Sequence, residues 1–111
     1  MSTINFDQLI QNLESGVQSL AKSSFTEYEQ AAKTDGANAI DGMKNNLQVW
    51  SQAVANGSLS FEDLGFLLKE EEALTEMTAL KEAGLAEVRI DEFKLGVVNI
   101  ITAGIASAIK V

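Results

Sequence analysis

The sequence predicts an all-α fold, and three observations predict it. The chain contains no proline, so the residue that costs about 3 kcal/mol inside a helix is missing throughout. Its apolar residues recur in alternating steps of three and four. Helix starts and stops are marked by cap residues at discrete places.

The first start is Asn5, with Gln8 three residues on as in a capping box, and with Ile4 and Leu9 at the positions of a hydrophobic staple. Phe6, Ile10, Leu13, Val17 and Leu20 then form one stripe, and Ile40, Met43, Leu47, Trp50 and Val54 form a second. The two differ in phase by about one residue, and Asp35-Gly36 between them is a turn or cap signal. A break or kink is expected there, with Ser23-Ser24 as a second candidate. Asn56-Gly57 ends the run, because glycine adopts the left-handed conformation that closes a helix. The turn 56–59 is short enough to make the flanking helices antiparallel neighbours. Ser60 starts the next helix, with Asp63 three residues on and Leu59 and Leu64 in the staple positions. From there Leu64, Leu67, Leu68, Leu74, Met77, Leu80, Leu85, Val88, Phe93 and Leu95 fit one broad stripe, and Ala83-Gly84 is the only interruption.

The expected architecture is therefore a long antiparallel helical hairpin, with helices at about 5–34, 37–55 and 60–110. Uninterrupted halves would each run roughly 75 Å at about 1.5 Å per residue. The alternative is a compact four-helix bundle with a break near Gly84. The 111 residues suffice for one domain, 1–111.

Composition narrows the function. Cysteine and histidine are both absent, which excludes disulfides, Cys- or His-based zinc sites, haem ligation, and Ser-His or Cys-His nucleophilic catalysis. No cofactor is implied. Sixteen acids against eight bases give a net charge of −8, without the basic footprint that nucleic-acid binding needs. The N-terminus has neither a basic region nor an apolar run of the secretory kind, so a cytoplasmic location is expected. Glu72 with Glu76, and Glu87 with Asp91, stand one turn apart but lack further ligand types. Asp35, Asn38 and Asp41 fail the calcium-loop spacing, because Ala37 and Ala39 fall where oxygen side chains are required. No phosphate-loop pattern occurs. Trp50 lies on an apolar stripe and reads as core. Arg89, the sole arginine, lies among Glu87, Asp91 and Glu92 and reads as a surface pair. The chain is not expected to be an enzyme.

Residues 95–109, LGVVNIITAGIASAI, carry no charge. On a helix, Val97, Val98, Ile100, Ile101, Ile105 and Ile109 fill one half of the wheel, and small residues with Asn99 fill the other. Val97-Val98-Asn99-Ile100-Ile101-Thr102 is β-branched in five of six positions, but no other segment resembles a strand to pair with it. Three readings compete for this helix. It is packed on both sides within its own fold, or it self-associates, or it inserts into a membrane, although it falls short of the roughly 20 apolar residues of a span. Ala103 with Ser107 and Gly104 with Ala108 place small residues one turn apart, which lets backbones approach closely. Asn99 is the kind of lone polar residue that fixes register. The leading functional expectation is a non-enzymatic helical structural or assembly protein. It would self-associate through Val97, Val98, Asn99, Ile100, Ile101, Gly104, Ile105, Ala108 and Ile109. The second is a small acidic adaptor or inhibitor, binding a basic protein through Glu62, Glu70, Glu71, Glu72 and Glu76 on one helix face. A membrane-active helical protein is the third.

Overall fold

A computed structural model describes residues 4–109. The fold is all-α, as the sequence predicts, and no strand occurs among the described residues. Residue 110, where the last helix was expected to end, lies outside them.

Helix α1 spans Phe6–Ser24. Asn5 caps it, its Oδ1 accepting the Gln8 amide N–H at 3.1 Å. Gln8 does not reach back to complete the box; its side-chain amide donates to Asn12 at 3.1 Å. The chain leaves the helix at Phe25, makes a 3-10 turn at Thr26–Tyr28 and returns as α2, Glu29–Gly42. Phe25 buries its ring edge-on against Phe93, with centroids 5.1 Å apart at 80°. The Arg89 guanidinium lies 4.7 Å from the centre of the same ring, and its Nη2 donates to the Ser24 carbonyl at 2.7 Å. Arg89 thus satisfies an orphan carbonyl at the end of α1. Its pairing with Glu92 is a longer contact of 3.8 Å between exposed groups.

These boundaries correct the expected 5–34 and 37–55 helices. The break falls at Ser24–Phe25, the second candidate, and Gly36 lies inside α2. The reason is packing. A Cβ on Gly36 would overlap the Val17 side chain and touch the Phe93 ring at 3.4 Å. The missing side chain lets α2 close on α1, which offsets the roughly 1 kcal/mol that a helical glycine costs. A one-residue break at Met43, itself fully buried, separates α2 from α3, Lys44–Ala55.

Helix α3 stops where expected. Gly57 has φ +83°, its N–H donates to the Val54 carbonyl at 3.2 Å, and the Ser58 N–H reaches the Ala53 carbonyl at 2.8 Å. This is the paired hydrogen bonding of a Schellman stop. Ser60 then caps α4, Phe61–Lys69, its Oγ accepting the Asp63 N–H at 3.0 Å.

The expected single helix over 60–110 is broken into four. Helix α4 ends at Lys69, α5 is Glu72–Thr75, α6 is Thr78–Glu82 and α7 is Glu87–Ile109. Each break has a local cause. The run Glu70-Glu71-Glu72 opposes the dipole at a helix C-terminus and suits an N-terminus, so one helix stops and another starts there. Leu74, Met77 and Leu80 are all buried, although Leu74 and Leu80 would lie about 120° apart on a straight helix. Breaking the helix lets all three face inward. Ala83-Gly84 is a second Schellman stop: Gly84 has φ +92°, its N–H donates to the Lys81 carbonyl and the Leu85 N–H to the Leu80 carbonyl, both at 3.1 Å.

Asp35 holds this broken segment to α2. Only 3% of it is exposed, and its two carboxylate oxygens accept the Ala79 and Leu80 amide N–H groups at 3.0 and 2.7 Å. It caps α6 from a residue 44 positions earlier in the chain. The residues rejected as a calcium loop therefore include one with a structural task.

The core runs along α1, which packs on α2 and on α7, while α4 packs on the far side of α7. Leu9, Leu13, Val17, Phe93, Val97, Ile101 and Ile105 are all at most 1% exposed. Each such side chain contributes about 1.5–3 kcal/mol on burial. Trp50 packs partly buried against the same core.

Candidate functional site

Helix α7 has two sides with different surroundings. The first is closed by α1 through an exchange of small and large residues. A Cβ on Gly96 would meet Leu20 at 2.7 Å, one on Gly104 would meet Leu13 at 2.5 Å, and one on Gly16 would meet Ile100 at 2.9 Å. Rising numbers on α7 meet falling numbers on α1, so the helices are antiparallel. Glycine on each helix receives a large side chain from the other, and the two axes come close.

The second side faces α4 and is only partly covered. Phe61, Glu62, Gly65, Phe66 and Lys69 of α4 line a cleft of about 270 Å³ with Val98, Asn99 and Thr102 of α7. A smaller cleft of about 120 Å³ continues it and shares Lys69 and Val98, adding Leu74, Thr75, Asp91, Lys94 and Leu95. The Lys69 end of α4 thus lies beside the earlier residues of α7, and these two helices also run antiparallel. Three large apolar side chains on this groove face solvent: Phe66 at 60%, Leu95 at 51% and Phe61 at 42% exposure. Gly65 leaves the groove open, since nothing lies within 4 Å of where its Cβ would be.

The residues expected to self-associate divide between these sides. Val97, Val98, Ile101 and Ile105 lie in the interior of their own chain. Ile100, Gly104, Ala108 and Ile109 are partly buried, Ile100 and Gly104 within the α1 contact. Asn99 is exposed, on the α4 groove. By length and composition α7 qualifies as a membrane span, with 28% of its apolar window buried within the chain.

The expected acidic face is divided among elements. Glu62 lies in the first turn of α4, Glu70 and Glu71 follow that helix, Glu72 opens α5 and Glu76 follows it. All are exposed except Glu71, which accepts a hydrogen bond from the Asn46 side-chain amide at 3.3 Å. They do not share one helix face, because the helix that would have aligned them is broken at residues 70–71 and 76–77. Among the described residues, no three carboxylates come together as metal ligands would.

Sequence reasoning missed Phe61, Phe66 and Leu95. For two of them the signal was present. Phe66 stands two residues from both Leu64 and Leu68, and Leu95 two residues from both Phe93 and Val97. A two-residue step turns about 200° round a helix, so each points away from the stripe its neighbours bury. Counting Leu95 in the broad stripe concealed this.

With the geometry in place, comparison adds no relative: no protein-family model, curated protein or solved structure matches this chain.

Proposed function

We propose that this chain is a non-enzymatic helical assembly protein that associates with a second copy of itself. The observation that carries this reading is the open groove between α4 and α7. Phe61, Phe66 and Leu95 face solvent there, while Gly96, Ile100 and Gly104 on another side of α7 are engaged by α1. Single exposed apolar residues are ordinary on a protein surface, but neighbouring ones that include two aromatic rings suit a contact between macromolecules. The groove also lies on helices rather than on a loop, so it offers a second copy a preformed surface.

The reading moves the association surface from where the sequence placed it. Val97, Val98, Ile101 and Ile105 serve the fold. The contact is assigned to Phe61, Phe66 and Leu95, with Asn99 also lining the groove.

Sedimentation equilibrium over a range of concentrations tests it. The wild-type chain is expected to rise above its monomer mass as concentration increases, and Phe66→Ser is expected to remain monomeric with unchanged helix content. A wild-type chain that stays monomeric throughout would overturn the reading.

A further inference from the structure

The groove carries charge as well as apolar surface, and the charge is ordered along it. Glu62 lies at one end of α4 and Lys69 at the other. Seven residue steps along the helix set them about 10 Å apart. Both are exposed, and neither forms an ion pair among the described residues. Between them lie Gly65, with open space where its side chain would be, and the exposed Phe66. The order along the face is acid, gap beside ring, base.

A two-fold axis reverses such an order. In a contact between identical faces, residue i meets j while j meets i. Two copies laid antiparallel across the middle of the groove bring each Glu62 to the other's Lys69. The same operation carries each Phe66 towards the space over the other's Gly65. A parallel arrangement would instead set Glu62 against Glu62 and Lys69 against Lys69. Building on the self-association reading above, we propose that the α4–α7 groove is an isologous dimer interface. Its occupant is a second copy running antiparallel, held in register by reciprocal Glu62–Lys69 pairs and by Phe66 seated over Gly65. The contact closes on itself, so assembly stops at two copies.

Charge reversal in trans tests the geometry. Glu62→Lys alone sets two lysines together at both ends of the interface, and Lys69→Glu alone sets two glutamates together. Each is expected to raise the dimer dissociation constant about tenfold, since each converts two attractive pairs into two repulsive ones. An equimolar mixture of the two variants restores opposite charges at both ends, so a heterodimer with affinity near wild type is expected, with the mass stopping at two copies. Sedimentation velocity reads all three samples, and circular dichroism confirms that each variant folds. If wild type dimerises but the single reversals dimerise equally well, or the mixture gains no affinity, the interface lies elsewhere: this inference falls and self-association stands. Growth of the wild-type mass beyond two copies would also overturn the closed interface. A wild-type chain that remains monomeric removes both readings, as occupancy of the groove by another protein or by a lipid surface would require.

Discussion

The two sides of α7 differ in how they use small and large residues. Toward α1, glycine on one helix receives a leucine or isoleucine from the other, and the contact is closed. Toward α4, Gly65 receives nothing, and Phe66 and Leu95 point into solvent. The first arrangement is a filled contact and the second is an open groove. Small residues one turn apart in residues 95–109 suggested self-association, but Gly104 is engaged with the chain's own α1. Spacing alone states that a close approach will occur. It does not state whether the partner is the same chain.

Substitutions on the closed side should have the largest effect on folding. Ile101 is fully buried, and Ile101→Ala should destabilise the fold by about 2–5 kcal/mol, the range for truncating a large aliphatic core residue. Urea unfolding followed by circular dichroism measures it. A loss well below that range would mean that Ile101 is not packed in the core as described.

Asp35 should come next. Asp35→Ala leaves the Ala79 and Leu80 amides without their acceptor in a covered site, at a cost of about 1–3 kcal/mol for a buried donor left unsatisfied. Hydrogen exchange should show the loss concentrated in α6 and its flanks, while α1 and α7 keep most of their protection. Asp35→Asn retains one acceptor oxygen and should recover part of the stability. Uniform loss of protection along the chain would contradict the capping role.

The open side should behave in the opposite way. Phe66→Ser should change the stability of the dilute chain by no more than about 0.5 kcal/mol, as for an ordinary surface position, while abolishing association. A large loss of stability in dilute solution would place Phe66 in the fold rather than at a contact.

The smallest effect belongs to Glu29. Lys33 donates to its carboxylate at 2.7 Å, and that hydrogen bond holds the Glu29 carboxyl below the usual glutamate range. A carboxyl lowered by folding stabilises the folded state above its ordinary value, and the benefit fades as pH falls through the lowered one. Glu29→Gln should therefore be slightly less stable than wild type near neutral pH and equal to it well below about pH 4. Parallel urea titrations at the two pH values check this.

Much of the fold was legible where its cause is local. Asn5, Gly57 and Ser60 act on amides and carbonyls within a few residues, and sequence placed all three correctly. The features that were not legible have distant causes. Helix α6 takes its cap from Asp35, 44 residues away. Phe25 leaves the helical path and packs against Phe93 and Arg89 of the last helix. Gly36 resembled a break and is instead a point of close packing, because Val17 and Phe93 occupy the space beside it. In the candidate site, the two-residue offsets of Phe66 and Leu95 were readable. That α4 would lie beside α7 and bring these side chains onto one groove was not, since only the breaks between residues 70 and 86 permit it.

The central claim is that one side of α7 belongs to the fold and the other to a second copy. The absence of cysteine allows a direct test by single-cysteine labelling. Alkylation rates of Leu95→Cys and Val97→Cys would be compared in dilute and concentrated solution under reducing conditions. The account predicts that the thiol at position 95 reacts rapidly when dilute and becomes protected as concentration rises, while the thiol at position 97 is protected at both. Equal reactivity of position 95 at all concentrations, or loss of protection at position 97 on dilution, would contradict it.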